Sequence, residues 1–117
     1  MGVYINGWIE VKNGSDDWEG VVKINSTFLN GGKSGEMMRS LYNLAEAKPL
    51  PANYSDEVIA SYGSNQYVGI PNIIFWEKMV LVDWESVTLD WQFLYDVFRQ
   101  IADYHEDKNV RLVFWGD

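Results

Sequence analysis

The chain has 117 residues, the size of one domain, and a chain of that length buries roughly two thirds of its unfolded surface when it folds. Apolar residues make up 47 per cent of it, among them six Trp, seven Tyr and five Phe, which excludes a disordered chain. A formal charge of −8 opposes direct binding to nucleic acid or anionic membranes, and the absence of cysteine removes disulfides, thiolate nucleophiles and sulfur metal ligands.

From Val3 to Val11 the apolar residues Val3, Ile5, Ile9 and Val11 alternate with Tyr4, Asn6, Trp8 and Glu10, the period of a half-buried strand. Gly7 falls on the apolar face, where a neighbour packs closely. The turn formers Asn13 to Asp17 separate this strand from a second, Trp18 to Ile24, and the two predict an antiparallel hairpin. Beyond the polar stretch Asn30 to Gly35, the residues Met37, Met38, Leu41, Leu44 and Ala45 recur at helical steps, and Pro49 and Pro51 end that helix. A helical turn is expected near Ser55 to Tyr62, with Ser55 as cap and Asp56 and Glu57 in the first turn.

Asn72 to Trp76 and Met79 to Trp84 read as two strands, with Glu77 and Lys78 as a turn or bulge between them. The plainest helix runs from about Leu89 to Asp107. Trp91, Leu94, Tyr95, Phe98, Ile101, Ala102 and His105 share one stripe of it, and Gln92, Asp96, Arg99, Gln100, Asp103 and Glu106 face the other way. Thr88 or Asp90 caps it, and Asn109 is placed to end it in the left-handed region. Val110 to Trp115 closes the chain as a strand. The order β-β-α-α-β-β-α-β predicts a single α+β domain, with a mixed or largely antiparallel sheet of about five strands and its helices packed on one face.

The chemistry on offer is sparse. One histidine, His105, sits where a cation complements a helix C-terminus, and no Gly-x-Ser-x-Gly elbow presents a serine. Paired carboxylates are the remaining acid and base, with Glu10, Glu77 and Asp83 the acids to test, but nothing selects them over the other acids. No cofactor and no metal site is expected. Asp16, Asp17 and Glu19 lack the spacing and glycine of a calcium loop.

Leu29-Asn30-Gly31-Gly32-Lys33-Ser34-Gly35 has the glycines of an anion nest, yet Thr27 stands where a phosphate loop needs its first glycine. Lys33, Ser34 and Arg39, with Tyr62 and Tyr67 from an aromatic loop-rich segment, are the ligand-binding candidates for a small nucleotide signal. Asp96, Asp103 and Glu106 are the candidates for a protein interface. No apolar run approaches the ~20 residues that span a bilayer, and the N-terminus carries no signal-peptide pattern, so a soluble, cytoplasmic protein is expected.

The opening Met1-Gly2-Val3-Tyr4-Ile5-Asn6-Gly7-Trp8-Ile9-Glu10-Val11 resembles that of a family of small phage and bacterial proteins with no assigned activity. So do Lys48-Pro49-Leu50-Pro51 followed by Ser55-Asp56-Glu57-Val58, and Val82-Asp83-Trp84-Glu85. The resemblance spans about the first three quarters of the chain. It departs at Gly35-Glu36-Met37-Met38, where the family is rich in Phe and Gly. It transfers no catalytic residue, and it implies an antagonist that sequesters a host defence protein or a nucleotide immune signal. A non-enzymatic binding protein is therefore the leading expectation. A small carboxylate-dependent hydrolase and a structural or assembly protein, working as a homo-oligomer, are the alternatives.

Overall fold

The computed structural model describes residues 5–12, 14, 17–24, 41–47, 53–63, 71–81 and 89–116. Lys33, Ser34, Arg39, Tyr67, Asp83 and Thr88 lie outside them.

Alternating side chains from Ile5 to Lys12 build β1, which turns at Gly14, whose φ of 55° suits glycine, into β2, Trp18–Ile24. The pair is antiparallel. Ile9 lies opposite Val22 and Glu10 opposite Gly20, so Val21 is the extra residue of a bulge. Glu46–Ala47 forms β3, Asn72–Phe75 forms β4 and Val110–Gly116 forms β5. The sheet order is β2-β1-β5-β4-β3 and every pairing is antiparallel. An α+β fold results, with the last strand at the centre of the sheet.

Strand geometry sends successive side chains of β5 to opposite faces. Val110, Leu112 and Phe114 join Ile9, Val11, Ile24 and Ile74 in one apolar cluster. Val113 and Trp115 join Trp8, Ile73 and Phe75 in another. On the first face lies α3, Leu89–Tyr104, which buries Trp91, Leu94, Phe98 and Ala102. Residues 41–44 are helical there too, with Leu41 buried. The second face carries α1, Asp56–Gly63, through Val58 and Tyr62, together with Tyr54 just ahead of it. The helices therefore occupy both faces rather than one. The reason is visible in β1, where Glu10 is buried and Trp8 half-buried against a second packed layer.

Ser55 caps α1 as its sequence predicts, its Oγ accepting the Val58 N–H at 3.2 Å. Of the strand expected from Met79 to Trp84, the described residues Met79, Val80 and Leu81 are helix and turn, and Val82 to Trp84 lie outside the described residues. Trp76–Met79 forms a short helix, α2, and the chain then turns, the Leu81 N–H donating to the Lys78 carbonyl at 3.0 Å. Trp76 and Met79 both reach the core at a helical spacing, and Trp76 stacks on Phe98 with ring centroids 5.1 Å apart. The fifth strand is instead the two-residue β3. The long helix also stops earlier than Asp107, and no described residue other than glycine has a positive φ, so Asn109 is not a left-handed cap. It ends a 3-10 turn, Asp107–Asn109, that leads into β5.

Candidate functional site

Glu10 on β1 and Arg111 on β5 stand directly opposite each other across the second face. Arg111 Nε donates to Glu10 Oε1 at 2.6 Å, and both side chains are sealed from water. Glu10 Oε2 accepts the Ser55 N–H at 2.7 Å, and Arg111 Nη2 donates to the Asn53 carbonyl at 2.5 Å. The Trp18 ring covers the guanidinium at 3.9 Å, with the Tyr54 ring at 5.5 Å. Burial pulls the Arg111 pKa below its ordinary value while the Glu10 carboxylate pushes back. The Tyr54 hydroxyl is pushed up to about 12, chiefly by burial, which keeps it neutral beside the pair.

This arrangement holds charge; it does not offer it. Both Glu10 oxygens are engaged and water is excluded, so the Glu10 carboxylate is tied into the fold. Glu77, its proposed companion, is exposed on α2. The sequence reading missed the pair because β1 alternation alone places Glu10 outward. The available signal was Arg111 itself, a lone charge inside the apolar run Val110-Arg111-Leu112-Val113-Phe114.

The outer face of α3 is the opposite kind of surface. Phe93, Asp96, Gln100, Asp103 and Tyr104 fall on the arc away from Trp91, Leu94 and Phe98, and all five are exposed. Tyr104 is 88 % exposed and Phe93 56 %. Phe93 and Tyr104 stand roughly 16 Å apart along the axis at 1.5 Å per residue. Asp96 pairs with Arg99 at 3.8 Å, and Glu106, just beyond the helix, pairs with Lys108 at 3.3 Å. Each of these pairs is open to water, so each holds its partner weakly. The three acids named from sequence thus lie on or beside one exposed face, and the two aromatics that share it, Phe93 and Tyr104, carry no signal in the apolar stripe.

No family model, curated protein or solved structure matches this chain. Among the described residues no group of three or more His, Asp or Glu is placed to hold a metal ion, and no helix is long and apolar enough to cross a membrane. His105 follows α3, half-buried, with its backbone N–H donating to the Ala102 carbonyl at 3.2 Å. Of the ligand-binding candidates Tyr62 is described, and its ring packs edge-on against Trp115 at 5.4 Å in the second cluster. Lys33, Ser34, Arg39 and Tyr67 fall outside the described residues.

Proposed function

We propose that this chain is a non-catalytic binding protein and that the outer face of α3 is its contact surface for a positively charged protein partner. The observation that carries the reading is Tyr104, an aromatic side chain left almost wholly in water on a rigid helix, with Phe93 and exposed acids on the same face. Tyrosine is enriched among the residues that dominate interface energies, because a flat amphipathic ring buries much area at little entropic cost. Asp96, Asp103 and Glu106 supply the negative field that steers a basic surface toward the ring. The underside of α3 is anchored by three fully buried side chains, so the surface is presented without a folding cost at binding.

The phage resemblance gives the class of partner this reading favours, a host defence protein. The hydrolase reading draws no support from Glu10, whose carboxylate is engaged in the ion pair. Capture from host extract tests the proposal when it is run with Tyr104→Ser and Asp103→Lys beside the wild type. A specific captured protein that both variants lose, at unchanged urea midpoints, is the expected result. Equal capture by all three chains places the contact elsewhere.

A further inference from the structure

Helix α1 is eight residues long, short of the roughly 12 to 15 at which an isolated helix becomes even marginal in water, so it exists by virtue of what it touches. It buries Val58 fully but leaves Asp56, Ile59 and Ala60 exposed. Its polar ties to the sheet run through side chains. Glu10 accepts from the Ser55 N–H, Arg111 donates to the Asn53 carbonyl, and Trp8 Nε1 donates to Ser61 Oγ at 3.0 Å. Among the described residues no backbone ladder joins residues 53–63 to a strand.

The two helical layers differ in what their removal would expose. Lifting α3 would bare Trp91, Leu94 and Phe98, with the lone indole N–H of Trp91 gaining water but no buried charge doing so. Lifting residues 53–63 would rehydrate a carboxylate and a guanidinium that are buried at high desolvation cost, and that hydration offsets much of what the lost contacts held. We propose that residues 53–63 form a strap that opens from the sheet as a unit while the sheet and α3 stay folded, with the Glu10–Arg111 pair as its latch. Opening uncovers an apolar face made by Trp8, Ile73, Val113 and Trp115. Gly20 marks how closely the strap lies, because a Cβ there would come within 2.9 Å of Glu57 Cβ on α1 and 2.9 Å of the Trp8 ring.

Native-state hydrogen exchange on the full chain, in a series of low urea concentrations, tests this. The amides from Ile59 to Gly63 should be protected at least about tenfold less than those from Leu94 to Ala102, with a weaker urea dependence, as a local opening requires. Glu10→Gln leaves Arg111 unpaired in the closed form and should lower strap protection about tenfold further, while α3 protection changes by less than about threefold. Gly20→Ala should act in the same direction without unpairing a charge. If Glu10→Gln does not fold, Gly20→Ala and the wild-type urea series decide the matter. Strap and α3 amides sharing one rate and one urea slope, or variants that shift both helices equally, would overturn the proposal.

Discussion

Phe98 and Asp103 lie on the same helix and should respond to truncation very differently. Phe98 is fully buried and stacked on Trp76, so Phe98→Ala should cost about 3 to 5 kcal/mol through lost burial and the cavity left behind. Asp103 is exposed, and Asp103→Ala should move stability by no more than about 0.5 kcal/mol. Urea midpoints measure both, and comparable midpoints would mean that the wrong face of α3 has been assigned to the core. The helical stripe made this pair legible in the sequence. Glu10 was not legible, because its partner Arg111 stands 101 residues away and pattern reading sees no further than a turn or a hairpin. A buried pair of this kind tolerates the loss of both partners better than the loss of one. Glu10→Leu combined with Arg111→Met should therefore be more stable than either single variant, since each alone strands a polar partner in the interior. A double variant with a urea midpoint below both singles would show that the pair stabilises the fold outright.

At the scale of the element, legibility followed locality. The β1–β2 hairpin, the Ser55 cap and the body of α3 each rest on signals contained within a few residues, and each stands where its sequence places it. Met79-Val80-Leu81 misled because a short apolar run around a β-branched valine reads as a strand. Two contacts decide otherwise: Trp76 stacks on Phe98, and Met79 enters the same cluster one turn later. Leu81 is left 65 % exposed, which a central strand would not permit. Gly7 shows the reverse, a local expectation of close approach that is met by the β5 backbone. A Cβ at Gly7 would strike the Val113 carbonyl oxygen and come within 3.0 Å of Phe114 Cα. Gly7→Ala should cost at least about 1 to 3 kcal/mol, the range for overpacking, because backbone in a central strand has little room to shift. Thermal or urea unfolding measures it, and a variant as stable as the wild type would mean that β1 and β5 are less closely paired than described.

In the whole molecule the final strand completes the sheet between β1 and β4, so neither helical layer has a finished floor until β5 is in place. That long-range closure explains why the α+β class was readable while the two-sided layering was not. Composition reports how much apolar surface there is, but which strand faces it covers depends on the register of pairs such as Glu10 with Arg111. The net charge of −8 is likewise a sum, and its use depends on where acids and aromatics meet. They meet on the outer face of α3. A photo-crosslinking residue placed at Gln100, between Phe93 and Tyr104 on that face, tests this most directly, with the same residue at the exposed position Glu77 on α2 as control. Irradiation in host extract should give one specific crosslinked protein from position 100 and none from 77. That product should fade as salt is raised, as a steered charged contact requires, and should be competed away by the unmodified wild-type chain but not by its Tyr104→Ser variant. Crosslinking from neither position, equal crosslinking from both, or competition by Tyr104→Ser as strong as by the wild type would contradict a binding surface on α3.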